Sequence, residues 1–269
     1  MGQFIQAEGT KLWVECRGQG PDVLLLHGLG DSVEAWQSQL DGLADRYRLV
    51  AVDNRGAGRS PLPEEPLSVD RMADDAAAVL RALDIPAAHV AGYSGGSLIA
   101  QELAIRHPDL VRSLVLVSTW ARLDSYARSW LDFLRWLPDV APSERAFLEA
   151  FFLWFYTPRA YANGMIEQLV EAALAFPYKP SAESLRQAID AYGSHETIDH
   201  LPLITAPTLV MSGGIDLTTG PRFGRVVADA IPGAQFEILP TEAHQPFQEI
   251  PRDWNARVDA FWQEVERGG

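Results

Sequence analysis

VAGYSGGSLIAQELA, residues 90–104, is the stretch on which the reading of this chain turns. It passes from an apolar strand through Gly92-Tyr93-Ser94-Gly95-Gly96 into a helix, so the G-x-S-x-G pattern stands in strand–turn–helix context. A serine at such a sharp turn is held in a strained backbone conformation with its hydroxyl pointing away from the sheet. Neighbouring backbone comes close there, and only residues without a side chain fit at Gly92 and Gly96. The helix that follows aims its amino terminus at the serine, where free N–H groups suit developing negative charge. The five-residue pattern alone is common by chance. Its context makes Ser94 the candidate nucleophile, against the alternative of a glycine-rich turn with a surface serine.

On the amino-terminal side, residues 3–8 and 11–17 read as a hairpin turning at Glu8-Gly9-Thr10. Gly18-Gln19-Gly20-Pro21 interrupts the pattern, and 22–26 is a continuous apolar run suited to a strand buried on both faces. It ends in His27-Gly28-Leu29-Gly30. A helix over 33–45 follows, with Ser32 or Asp31 as cap. A strand over 47–52 leads into the loop DNRGAGRS, 53–60, and a helix over 68–83 capped by Ser68. After the serine turn the helix runs to His107, stopped by Pro108, and 112–118 is the next strand. Strands alternating with helices call for a parallel sheet.

The alternation fails between 120 and 200. Helical stretches over 124–137, 143–156, 159–175 and 181–193 fit there, punctuated by Pro138, Pro142, Pro158 and Pro177. The segment is rich in aromatics, most of them packing groups. Tyr93, Trp120, Trp130, Phe133 and Trp154 are read as walls of an apolar pocket. The alternation resumes with a strand over 207–212, a helix over 221–231, a strand over 235–239 and a last helix over 251–266.

At 269 residues, one core with an inserted segment is expected: residues 1–119 and 201–269 as core, 120–200 as a helical insertion. The formal charge of −14 argues against nucleic acid, which demands a basic face. The single cysteine, Cys16, excludes an intrachain disulfide and reads as a buried, inert thiol. No signal-peptide pattern and no run of membrane-spanning length appear, so a cytoplasmic location with no membrane partner is expected. No His/Asp/Glu cluster stands at ligand spacing and no dinucleotide or phosphate loop is present, so neither metal nor cofactor is expected. A small-molecule substrate is expected, and a homo-oligomer is left open.

A serine hydroxyl needs a base to take its proton, and the base needs an acid to hold its tautomer. His244 follows the last strand and Asp216 the strand before it. The order Ser94, Asp216, His244 is that of the α/β-hydrolase fold and of no other serine hydrolase fold. All three lie beyond the carboxyl ends of parallel strands, where loops share one sheet edge. Asp124, after the earlier strand, is the alternative acid. His27 is expected to hydrogen-bond backbone. An oxyanion needs two fixed donors: the N–H of Gly95, and one from the loop after 22–26, where Leu29 is first choice and Gly28 or Gly30 the alternatives.

The pieces HGLG, DNRGAGRS, GYSGGS with AQELAIRHPDLVRSLVLVS, APTLVMSGGID and EAHQPFQEIP together resemble the α/β-hydrolase superfamily. Within it the chain resembles the enol-lactonase-like and cofactor-free haloperoxidase-type serine hydrolases. The resemblance covers 22–119 and 201–267. It implies an eight-stranded, mostly parallel sheet with helices on both faces, and a helical cap formed by 120–200. It also implies hydrolysis through an acyl-enzyme by a Ser94–His244–Asp216 triad, on a small, largely apolar ester or lactone. Carbon–carbon bond hydrolysis or perhydrolysis with the same triad, and a ligand-binding receptor of the same fold, are the alternatives. Two departures stand out. Gly95 replaces the larger residue, often methionine, that the subgroup carries after the serine, and is expected to leave space beside Ser94. Glu242-Ala243 replaces the commoner glycine before the histidine.

Overall fold

The computed structural model describes residues 2–7 and 9–268; Glu8, in the expected hairpin turn, lies outside the described residues. Among them, eight strands form one sheet in the order β1-β2-β4-β3-β5-β6-β7-β8. The hairpin β1 (Gly2–Ala7) and β2 (Thr10–Arg17) is antiparallel, and β2 pairs antiparallel with β4 (Arg48–Val52). Every pairing among β4, β3 (Asp22–Leu26), β5 (Ala88–Tyr93), β6 (Val111–Val117), β7 (Thr208–Gly213) and β8 (Gln235–Leu239) is parallel.

Alternation along each strand feeds two cores. From β3, Leu24 and Leu26 join Val50, Val52 and Val90 against α2 (Val69–Ala82) and α3 (Gly95–Arg106). Val23 and Leu25 point the other way, with Leu49, Ala51 and Ala91, onto Trp36, Trp254 and Trp262. Those three come from the short helix region ending in α1 (Gln37–Gly42) and from the last helix, Pro251–Gly268. A continuous apolar run is thus a strand with no solvent face. Cys16, on β2, is half-buried, less enclosed than expected; burial still pushes its thiol up.

The expected helix over 33–45 is instead a 3₁₀ turn, Val33–Trp36, followed by α1. Neither Ser32 nor Asp31 caps it. Ser32 Oγ bonds Glu34 at 2.7 Å, and the Val33 N–H is taken by Asp53 Oδ1 at 2.7 Å. Asp53 opens the DNRGAGRS loop and also accepts from the Arg59 N–H at 2.8 Å. Arg55 of that loop makes a buried two-pronged pair with Asp75 of α2, at 2.5 and 2.6 Å. The motif therefore locks three segments under the sheet edge. Ser68 caps α2 as expected.

Between β6 and β7 the described residues form helices and no strand: α4 (Ser125–Val140), α5 (Glu144–Phe152), α6 (Pro158–Ala162), α7 (Met165–Ala175) and α8 (Ala182–Ser194). Pro138 does not end α4 but sits in its last turn; it has no N–H to give the carbonyl one turn back, and the helix closes two residues later at Val140. The expected helix over 159–175 breaks at Asn163-Gly164 into α6 and α7. After β7 come α9 (Pro221–Ala230) and, between β8 and the last helix, a one-turn α10 (Pro246–Glu249) that the sequence did not signal; the last helix is α11 (Pro251–Gly268). Among the described residues no helix is long and apolar enough to cross a membrane.

His89 on β5 is fully buried, its ring stacked on Trp262 and its Nδ1 2.7 Å from Ser113 Oγ. Burial, which the nearby Glu266 only partly offsets, pushes its pKa down to about 4. In the unfolded chain the same ring takes a proton near pH 6.5. As pH falls through that window the unfolded state binds the proton first, so the stability contributed above pH 6.5 is lost towards pH 4. The melting temperature is expected to fall between pH 7 and pH 4.5, and by less in His89→Gln. An equal fall in both would show that His89 does not set the slope.

Candidate active site

Ser94 stands between β5 and α3 with φ 51° and ψ −127°, a strained conformation for any residue with a side chain. Hydrogen bonds hold it there: its N–H to Val117 O at 2.9 Å, and its carbonyl from the Ser97 N–H at 2.9 Å and Ser97 Oγ at 2.5 Å. Gly96 lets α3 start against β3, since a Cβ there would lie 2.2 Å from Leu26 O. The N–H groups of Leu29 and Gly95 make no hydrogen bond among the described residues. Gly28 lies against Ser94, a Cβ on it falling 2.9 Å from Ser94 Cβ.

His244, in the loop after β8, is buried, and its Nδ1 lies 2.9 Å from Asp216 Oδ2. A carboxylate there requires the proton on Nδ1, which leaves Nε2 with a free lone pair. Nε2 is buried and has no hydrogen-bond partner among the described residues. His244 and Ser94 line the same small cavity, of about 10 Å³, and no hydrogen bond joins Ser94 Oγ to Nε2. Two residues that the sequence reading missed complete the acid. Thr218 gives Asp216 Oδ1 both its N–H and its hydroxyl, each at 2.8 Å, and its Oγ1 lies 2.8 Å from His244 Nδ1. Thr219 gives its N–H to the same carboxylate oxygen and its hydroxyl to Ser118 O at 2.7 Å. Burial raises the Asp216 carboxyl, but the His244 ring and the Thr218 donors outweigh it and hold the pKa below the usual carboxylate range. Ser118 itself has φ 51° and donates to His244 O at 2.7 Å. The signal for these residues was available in the Thr-Thr that follows Asp216 by two positions, an Asx-type arrangement.

Asp124 is far from this role: it caps α4 through the Ala127 N–H at 2.8 Å and pairs with Arg222. His27 binds backbone as expected, its Nε2 accepting from the Asn54 N–H at 3.0 Å and its Nδ1 2.9 Å from Gly28 O. Non-local folding does gather Asp70, Glu102 and His195, one ligand atom of each within 4.8 Å of the others, a cluster that sequence spacing did not show. His195 Nε2 lies 3.0 Å from Glu102 Oε1 there, where the end of the insertion meets α3.

The cavity beside Ser94 is lined by Tyr93, Trp120 and Trp130 among the expected aromatics, and also by Leu131, Phe151, Phe155 and Tyr192. Trp154 and Phe133, expected as pocket walls, do not reach it. They pack against each other with ring centres 5.6 Å apart, Phe133 from α4 and Trp154 from the turn after α5. The insertion touches His244 directly: Phe155 O accepts from the His244 N–H at 3.1 Å and its ring lies 5.0 Å from the imidazole. Gly95 does not leave open space, as expected from the sequence. A Cβ there would meet the Tyr192 ring at 2.4 Å. Tyr192 is itself buried, so α8 supplies the bulk that the residue after the serine lacks.

Gly95→Ala is accordingly expected to lower kcat/KM by tenfold or more by forcing the Tyr192 ring against its neighbours, and Tyr192→Ala to restore much of the loss in the double variant. Additive losses in the double-mutant cycle would show that the two positions do not share this space. Thr218→Val removes one hydroxyl donor from a buried carboxylate, and is expected to cut kcat about 10- to 100-fold with little change in KM; steady-state kinetics on the folded variant decide it.

The model of the α/β-hydrolase fold family matches residues 21–249. A protein described as a putative carbamate hydrolase RutD from Azorhizobium caulinodans is 30% identical over 256 residues, covering 95% of this chain and 96% of the relative. A putative non-heme bromoperoxidase BpoC from Mycobacterium tuberculosis is 31% identical over 261 residues, covering 93% and 96%. The enol-lactonase structure from Burkholderia xenovorans LB400 superposes with a TM-score of 0.87 over 97% of this chain and 100% of that one, at 24% identity, a likeness of fold. Sheet order, serine turn and these matches agree: the chain belongs to the α/β-hydrolase family.

Proposed function

We propose that this protein is a serine hydrolase that cleaves a largely apolar carboxylic ester or lactone through an acyl-enzyme, with residues 120–200 as its cap. One observation carries the reading: an Asp216-oriented imidazole, with its Nε2 buried and unpartnered, lines the same small cavity as a strained serine. Catalytic hydrogen bonds commonly tighten into place in the Michaelis complex.

Ser94 Oγ attacks the substrate carbonyl while His244 Nε2 takes its proton. Asp216, ionised throughout the neutral range, stabilises the imidazolium without accepting the proton itself. The free N–H groups of Gly95 and Leu29 receive the oxyanion, each contributing about 2.7–4 kcal/mol to the transition state. The imidazolium then protonates the departing alkoxide. In the second half His244 draws a proton from water, which attacks the acyl carbon, and the imidazolium returns that proton to Ser94 Oγ as the acyl bond breaks. Apolar walls of Trp120, Trp130 and Phe155 favour apolar groups on either side of the bond.

A carbamate, an ester-like carbonyl bearing nitrogen, is the second reading, favoured by the relative of that description. The triad would attack it in the same way, and ester and carbamate turnover measured side by side rank the two.

The test is a fluorophosphonate reagent and p-nitrophenyl butyrate. A single adduct on Ser94 is expected by mass spectrometry. Ser94→Ala is expected to lose about 10⁴-fold or more of kcat/KM, and Asp216→Asn about 10³- to 10⁴-fold of kcat. Undiminished turnover in Ser94→Ala, or an adduct on another residue, would overturn the reading.

A further inference from the structure

Asp31 is left without the task its position suggests. It stands where a cap for the following turn is expected, yet Asp53 takes the Val33 N–H. Its carboxyl lies instead in the wall of the Ser94 cavity. The Tyr93 hydroxyl donates to Oδ2, and among the described residues that is its one hydrogen bond; no cation pairs with it. Burial pushes the carboxyl above its usual range, the tyrosine bond offsetting only part of that. Asp31 is half-buried, so its remaining oxygen is an available acceptor at the cavity wall, and a ligand that covers it must supply a donor or leave a polar atom buried and unpaired.

Asp31 also lines a second cavity. It has a volume of about 730 Å³, the size that holds a whole small-molecule ligand, whereas the space at Ser94 is about 10 Å³. Its walls are largely apolar, with Phe147, Leu148, Phe152, Leu169, Phe176 and Leu185 among them. Asp31 and Phe151 are the two residues common to both linings, so they form the neck between the reacting serine and the chamber.

We infer that Asp31 is a substrate-anchoring residue: it accepts a hydrogen bond from an N–H or O–H carried a few bonds from the reacting carbonyl, and the apolar chain beyond that donor passes Phe151 into the chamber. The inference rests on the ester-hydrolase reading and narrows its substrate class. The ligand is bipartite, a polar link next to the carbonyl and an extended apolar tail. A chain of methylene groups throughout would leave the carboxyl oxygen unpaired at the neck. That is the type of mismatch by which a site built for a donor rejects an analogue lacking it.

Binding is measured in Ser94→Ala, which keeps the esters intact, by quenching of tryptophan fluorescence from Trp120 and Trp130 at the cavity. The probes are the methyl esters of N-octanoylglycine, N-octanoylsarcosine and 4-oxoundecanoic acid, which differ in the N–H, N–CH₃ or CH₂ at one place. The N–H ester is expected to bind about tenfold or more tightly than the other two. N-Acetylglycine methyl ester, with no tail for the chamber, is expected to bind at least tenfold more weakly than its octanoyl counterpart. Adding Asp31→Leu is expected to bring the N–H to N–CH₃ ratio near one, with thermal melting as the check that it folds. Equal binding of the three octanoyl-length esters overturns the inference without any variant at Asp31, and so does a ratio that survives Asp31→Leu. Labelling of Ser94 in the unmodified protein separates the two readings: labelling without the N–H preference sinks the anchor alone, and the preference without labelling sinks the serine chemistry alone.

Discussion

The site depends first on how closely α3 approaches the end of β3. With no side chain at Gly96, the first turn of the helix rests on the carbonyls of Leu26 and His27. That contact puts the loop after β3 and the amino terminus of α3 side by side, and with them the free amides of Leu29 and Gly95. The same contact forces Ser94 into its positive-φ conformation, which costs on the order of 1–3 kcal/mol. The strain is held by bonds from both flanks, to Val117 of the neighbouring strand and from Ser97 one turn on. A serine freed from that conformation would lose its position relative to both amides.

The acid–base side is built on a second strained residue. Ser118, just after β6, donates to His244 O and accepts from Thr219 Oγ1, so one residue fixes the loops of both His244 and Asp216. Asp216 then receives the Thr218 N–H and hydroxyl on the oxygen that His244 does not use. A buried carboxylate left with only one partner would drift towards its neutral form and cease to hold the imidazole tautomer. The His244 ring and, after it, the Thr218 donors keep it ionised, and the aspartate in turn fixes the tautomer of the imidazole.

Much of this was legible in the chain. Strand–helix alternation and the serine turn specify the parallel sheet, and the positions of Ser94, Asp216 and His244 at strand ends follow from it. What was not legible depends on which face of each helix in 120–200 turns inwards. Trp154 and Phe133 looked like Trp120 and Trp130 as sequence, yet pack within the insertion. Tyr192, one of many amphipathic positions on α8, reaches the oxyanion side. Ser118 gave no sign of its strain, because backbone conformation at a strand end is set by what the neighbouring loops need. The Asp70, Glu102 and His195 cluster joins residues from distant segments and leaves no spacing to read.

The pairing of Gly95 with Tyr192 alters what controls the shape of the pocket. Where the residue after a nucleophile carries a large side chain, the wall is fixed to the elbow, the most constrained part of the fold. Here that wall comes from α8 in the insertion, whose contacts with the core are side-chain packing rather than sheet hydrogen bonds. Asp31 makes the complementary move. Because Asp53 has taken over the capping of the turn at Val33, a residue of the rigid loop after β3 is free to present its carboxyl to the cavity. On the proposed reading, volume selection resides in the insertion, which can vary without disturbing the serine turn, while polarity selection resides in the core beside Ser94. In such an arrangement, changes in 120–200 should alter which tails are accepted long before they alter the attack on the carbonyl, since each acts through a different set of contacts.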